Sequence, residues 1–266
     1  MRRTNIALIL AALTALAACK KVVNVDLNNA TPQIVIEGEV TNQRGPHVVR
    51  ITRSVPFSSS NVFPPVTNAD VYITDSTNGI VDHLSQVNSD SGVYLARGTV
   101  GVTQHTYVLT VTLDGKEYRA VSTMPKAVPL DSVTFALNYD FSNKQEINAV
   151  VNFQDPPGLG NYYQFTEEVN GRKIPNIFVF EDRLSDGRYI QQPLFNDSAY
   201  LKKDDTLAVT MNCVDKNIHD YFFTLAGATS NSFQTATPAN PNTNITGGAL
   251  GYFSAHSSQR TTIIVY

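Results

Sequence analysis

The sequence predicts an all-β protein built as two antiparallel β-sandwich domains, the second carrying one amphipathic helix. Three observations predict it. Short stretches of period-two alternation recur along the chain, turn residues punctuate them at close spacing, and past the amino terminus one stretch alone takes helical spacing. Composition agrees. The 266 residues suffice for one large or two ordinary domains, and 42% of them are hydrophobic, enough for a sizeable core. Charged residues make up only 16%, while Asn, Thr, Ser, Val and Tyr recur, a balance that favours strands.

Gln33 to Val40 alternates, with Ile34, Ile36, Gly38 and Val40 on one face and Glu37 and Glu39 on the other. The turn Asn42-Gln43-Arg44-Gly45 leads into a strand over His47–Ser54. Ala69–Asp75 alternates again, and Thr77-Asn78-Gly79 signals a hairpin returning through Ile80–Gln86. Val93–Arg97, His105–Leu113 and Lys116–Thr123 follow, the last two joined by the tight turn Asp114-Gly115. These strands predict an immunoglobulin- or transthyretin-like sandwich over residues 32–125. The run Asp90-Ser91-Gly92-Val93-Tyr94, then Tyr107-Val108-Leu109, resembles the rhythm of transthyretin-like regulatory modules. Asn88, Asp90 and Gly92 lack the glutamate that closes a calcium loop, so no metal is expected there. Phe57 and Phe63 stand among prolines in the loop Val55–Thr67. Either they cap the end of the sandwich or they form a rigid aromatic lip for a partner.

Met124 to Pro129 has two prolines and no period, which places the domain boundary there. The second β domain is expected over residues 130–266. Its strands are Ser132–Tyr139, Ile147–Gln154, Tyr162–Val169, Ile177–Phe180 and Leu207–Cys213, with Gly251–Ser257 and Thr261–Tyr266 at the end. Asp155-Pro156-Pro157-Gly158 is a rigid turn, and Asp204-Asp205 a solvated one beside Lys202 and Lys203. The helix covers residues 216–228, with Ile218, Tyr221, Phe222 and Leu225 on its apolar stripe and Asp215 as N-cap. His219 and Asp220, as helix neighbours, point apart. The Gly, Asn and Pro loop 229–251 is too long to be an ordinary connection. It is either a binding surface or an Ω-like structural loop. The binding surface proposed from sequence comprises Asn244, Gly247, Gly248, Gly251, Tyr252 and Phe253, together with Phe57 and Phe63.

The amino terminus predicts location. Arg2 and Arg3 precede an apolar run from Ile6 to Ala18, the layout of a signal peptide over residues 1–18 and shorter than the roughly 20 residues of a spanning helix. Leu16-Ala17-Ala18-Cys19 resembles the bacterial lipobox, which implies lipidation at Cys19 with acyl chains such as palmitate. Each buried methylene contributes about 0.8 kcal/mol, so two or three chains hold a domain on a membrane nearly permanently. Residues 19–31 then form a tether. Cleavage removes Arg2 and Arg3 and leaves 18 basic against 23 acidic side chains, net −5, which argues against nucleic acid as a partner. With Cys19 acylated, Cys213 has no disulfide partner and reads as a small buried hydrophobe.

Several segments carry a wider resemblance. They are Cys19, the Ile-Val-Ile-Glu-Gly-Glu-Val strand, Ala69-Asp70-Val71-Tyr72-Ile73, Asp155-Pro156-Pro157-Gly158 with Asn161-Tyr162-Tyr163, Asp220-Tyr221-Phe222, and Asn244-Ile245-Thr246-Gly247-Gly248 through Gly251-Tyr252-Phe253. The mature chain resembles the Bacteroidota envelope lipoproteins grouped as domain of unknown function family 4249. That resemblance implies an outer-membrane lipoprotein associated with TonB-dependent receptors, and no catalytic residues. Lys20 and Lys21 stand where surface-exported lipoproteins of that phylum carry acidic residues, which leaves the periplasmic or cell-surface face open. The sequence contains no Gly-x-Ser-x-Gly elbow, His-Glu-x-x-His, P-loop or dinucleotide fingerprint. The expectation is a non-enzymatic accessory to nutrient uptake, without cofactor or metal. The alternative is a glycan- or peptide-binding or adhesin-like module.

Overall fold

The computed structural model describes residues 31–56, 59, 60, 62–139, 145–196, 201–229 and 240–266. The expected signal peptide, Cys19, the expected tether but for Thr31, Phe57 and residues 230–239 of the long loop lie outside the described residues.

Alternation produces strands nearly where it occurs. β1 (Ile34–Thr41), β2 (His47–Arg53), β3 (Asp70–Asp75), β4 (Ile80–His83), β5 (Ser85–Gln86), β6 (Val93–Ala96), β7 (Thr106–Leu113) and β8 (Lys116–Thr123) make the first half. β9 (Ser132–Tyr139), β10 (Gln145–Gln154), β11 (Tyr162–Val169), β12 (Arg172–Lys173), β13 (Phe178–Glu181), β14 (Tyr189–Leu194) and β15 (Thr206–Val214) follow. Helix α1 (Lys216–Thr229), β16 (Ile245–Thr246) and β17 (Leu250–Ile264) complete the chain. The fold class is all-β, as predicted, with a single α-helix among the described residues. No helix among these residues is long and apolar enough to cross a membrane.

The strands form one nine-stranded sheet, ordered β12-β11-β15-β17-β1-β2-β6-β5 with β13 also on β11. A five-stranded sheet, β16-β8-β7-β3-β4, and a three-stranded one, β14-β10-β9, complete the layers. One core lies between the large sheet and the five-stranded sheet, around Ile36, Ile51, Tyr107, Leu109 and Phe253. The other lies between the large sheet and the three-stranded one, around Phe153, Tyr163, Phe165, Val209 and Met211. The result is two sandwiches that share a layer.

Strand β17 makes that sharing possible, and here the structure departs from the sequence reading. The two terminal strands expected at 251–257 and 261–266 are one fifteen-residue strand. Its first half runs parallel to β1, with Val35 opposite Leu250 and Thr41 opposite His256. Its second half runs antiparallel to β15, with Cys213 opposite Ser257 and Thr206 opposite Ile264. The second domain expected over 130–266 therefore gives residues 245–255 to the first core, where Ile245, Ala249, Phe253 and Ala255 are buried. Among the described residues, pairing with β1 is also the one parallel contact in a set of sheets read as antiparallel. Three other strands escaped the sequence reading, the first being β16, which lies inside the loop expected over 229–251. β14 carries Pro193 and two glutamines, which suit an outer strand but hide its period. β12 follows the two-residue turn Asn170-Gly171, both at positive φ, a strong hairpin signal.

Candidate functional site

Alternation along β17 sends Phe253 and Ala255 into the first core and Tyr252, Ser254, His256 and Ser258 to the opposite face of the shared sheet. That face carries a groove of about 270 Å³. It crosses β12, β11, β15, β17 and β1, about 19 Å of sheet at the usual strand spacing. Register builds its floor. Gln164, Asn212 and Ser258 sit side by side on adjacent strands, and so do Thr166 and Thr210. Glu39 lies opposite Ser254, and Thr41 opposite His256. The Asn170-Gly171 turn brings Lys173 to the far edge.

Helix α1 supplies the wall. Asp215 caps it as expected, accepting the Ile218 amide at 3.0 Å on one carboxylate oxygen. The other oxygen accepts the Ser122 hydroxyl at 2.6 Å and the Thr123 amide at 3.2 Å, so the same residue fixes the helix start to β8. Burial pushes this carboxyl up, and the hydrogen bonds partly offset that. Tyr252 packs against both Tyr221 and Phe222, with ring centroids 4.9 and 5.0 Å away, and Phe222 lines the groove beside it.

The electrostatics are mild. His256 is buried in the floor, and burial with His47 close by pushes its imidazole down to about 4, so it is neutral near pH 7. Its Nδ1 lies 2.9 Å from the Ser254 hydroxyl. Burial raises the Glu39 carboxyl while Lys173 pulls it the other way. Asn212 donates its amide to Gln164 Oε1 at 3.2 Å, but its own Oδ1 is buried with no partner among the described residues. Hydroxyls, amides and a neutral imidazole under an aromatic wall can hold a polar, uncharged molecule by hydrogen bonds.

Of the described members of the binding surface read from sequence, Tyr252 alone lines this groove. Phe253 is fully buried in the first core. Asn244 holds the free edge of β17: its Oδ1 accepts the Phe253 amide at 3.0 Å, and its Nδ2 donates to the Phe253 carbonyl at 2.8 Å. Gly251 has φ +98°, and a Cβ there would lie 2.0 Å from the Ile36 carbonyl oxygen, so β1 and β17 can pair so closely only over glycine. Gly247 is similarly pressed on the Glu117 carbonyl, at 2.6 Å, while Gly248 has open space around it. The described part of the long loop is thus a piece of the fold. Phe63 is 51% exposed at the sandwich end, on a loop tied back to β2 through the Pro64 carbonyl and the Val66 amide. Phe57 lies outside the described residues.

Two further clusters bear on chemistry. Asp155, Asp182 and Asp186 converge within 4.8 Å. Their oxygens accept the Tyr163 hydroxyl and the Gly187 amide, the Gly160 and Asn161 amides, and the Gly158 amide respectively. The rigid turn at Asp155 is therefore one part of a loop assembly cross-tied by carboxylates. His219 and Asp220 do not point apart as the sequence reading held. Nδ1 lies 3.1 Å from Oδ1, and the His219 ring packs between Tyr162 and Phe223. Cys213 is buried, and burial pushes its thiol up, as suits a residue of the core.

Sequence reasoning missed most of the groove. Its floor residues were legible as the polar face of strands, yet nothing local says that a helix overhangs that face. The Asn170-Gly171 turn was the one available signal for Lys173.

Comparison with curated proteins finds no match. Among solved structures, the chicken interferon gamma receptor alpha chain is similar at 11% identity, covering 69% of this chain and 89% of that one. With a TM-score of 0.20, the likeness carries no argument. A family model described as a domain of unknown function (DUF4249) matches residues 20–262.

Proposed function

The chain belongs to the DUF4249 family, and from that premise we propose that it is a non-enzymatic outer-membrane lipoprotein, an accessory to a TonB-dependent receptor in nutrient uptake. The observation that carries the reading is the stretch Leu16-Ala17-Ala18-Cys19, which makes Cys19 the acylation site. Only residues 20–33 separate that cysteine from β1, the strand that carries Glu39 at the edge of the groove. Fourteen residues reach at most about 50 Å, so the groove would work close to the membrane surface. A shallow polar face on a rigid β scaffold suits holding a nutrient, or a receptor loop, better than bond-breaking chemistry.

The test is purification from the native host in detergent. Mass spectrometry is expected to find an acylated cysteine at the amino terminus, and a TonB-dependent receptor is expected to co-purify. A lipid-free amino terminus refutes the anchor, and recovery without any such receptor refutes the accessory role.

A further inference from the structure

We infer that the groove on the shared sheet binds a short neutral saccharide, with its hydroxyls on the amide and hydroxyl floor and its apolar ring face toward Phe222 and Tyr252. This rests on the reading of that face as a binding face and is independent of the lipid anchor.

Four observations carry it. First, every side chain lining the groove is polar or aromatic, with no aliphatic residue among them. An apolar ligand would gain little there, whereas a polyol finds a hydrogen-bonding side chain at every lining position but Phe222. Second, the Asn212 Oδ1 acceptor is buried in the floor and lacks a donor among the described residues. An orphan of this kind costs about 1–3 kcal/mol, and because the atom is closed to solvent as it stands, a turn of the Asn212 side chain would have to bring it to a hydroxyl in the groove. A sugar hydroxyl both donates and accepts, so it can donate to Asn212 while it accepts from Thr166 or Thr210 beside it.

Third, the charges balance. Among the described residues, Glu39 and Lys173 are the only formally charged side chains in the lining, and they attract each other. His256 is neutral near pH 7. Phosphates and carboxylates would want a surplus of cations, which this lining does not offer. Fourth, 270 Å³ lies just under the roughly 300 Å³ at which small-molecule sites begin, so the occupant is a short one.

The test uses full-length protein in detergent. It is titrated with glucose, N-acetylglucosamine, maltose, cellobiose and chitobiose by ligand-observed NMR and calorimetry. Glycine and dialanine serve as zwitterionic probes and inorganic phosphate as the anionic one. At least one saccharide is expected to bind saturably. Asn212→Ala is expected to weaken it about tenfold, the loss of one or two hydrogen bonds. The near-isosteric Thr210→Val is expected to weaken it in the same direction, and it decides the matter alone if Asn212→Ala does not fold. Failure of every saccharide to bind, binding indifferent to both substitutions, or binding of the zwitterions or phosphate alone overturns the inference. Any of these leaves the acylation and receptor tests where they stand, so the two readings fail separately.

Discussion

The two halves of strand β17 are held by different means. From Ser257 onward its outer edge is a regular backbone ladder to β15. From Gly251 to Ala255 the corresponding edge is completed by side chains. The Thr243 hydroxyl donates to the Gly251 carbonyl at 2.7 Å, Asn244 takes both backbone groups of Phe253, and the Ser122 hydroxyl accepts the Ala255 amide at 2.8 Å. A ladder spreads its free energy over many bonds, whereas a row of side chains concentrates it in a few residues. Two sandwiches can then share one strand, but the first depends on single side chains in a way the second does not.

The two sandwiches joined by β17 also bury ionisable groups of opposite tendency. On the first half of that strand, His256 is held neutral beneath the groove. In the second sandwich, Glu167 points into the core, accepts a hydrogen bond from the Asn196 amide at 2.5 Å, and is pushed up to about 7 by burial. One group resists gaining a proton and the other resists losing one.

The largest expected effect breaks the first half outright. Gly251→Ala places a methyl against the Ile36 carbonyl at a φ few side chains tolerate, so a loss of more than about 4 kcal/mol is expected. Urea unfolding checks it, and a loss under 1 kcal/mol would show that β1 and β17 need not approach so closely.

Next comes pH. Below pH 6.5 the unfolded chain takes up a proton at His256 that the folded chain refuses until about 4. Stability therefore falls as pH falls across that window, by roughly 3 kcal/mol. Glu167 runs the other way. The folded carboxyl keeps its proton up to about 7 while the unfolded one loses it near 4.5, so stability falls as pH rises between those values, by a similar amount. The two slopes oppose each other where the windows overlap. Relative to the unsubstituted protein, Glu167→Gln is expected to lose stability toward acid between pH 6.5 and 4.5, and His256→Gln to lose it toward neutral pH. Thermal unfolding across that range separates them, and parallel curves for both variants would remove the assignment.

The smallest effects sharpen the contrast between the two halves. Asn244→Ala, which strands two backbone groups of β17, is expected to cost about 2 kcal/mol. Arg260→Ala, in the second half, removes a partly exposed bidentate pair with Glu168 and is expected to cost about 0.5 kcal/mol. Equal costs in chemical denaturation would mean that the side-chain edge is not a concentrated support.

The same contrast explains what was legible. Strands with one buried face announced themselves, because Ile36, Gly38 and Val40 alternate with Glu37 and Glu39. Helix α1 and its Asp215 cap did so through spacing. The Asn244 to Phe253 segment was visible as unusual, but its meaning was not. Asparagine and closely spaced glycines fit a recognition loop as well as an edge clasp, and only the partner strand decides between them. His256 looked isolated because the residues around it, Thr41, His47 and Ser254, come from three strands.

The sequence by itself determined the all-β class, the place of the helix and the family, since period, capping and motif are properties of neighbouring residues. Tertiary structure alone decided that β17 would serve both sandwiches and that its polar face would become a groove. Pairing Val35 with Leu250 joins segments from opposite ends of the chain. Alternation says which face of a strand is buried but carries no information about which strand lies beside it.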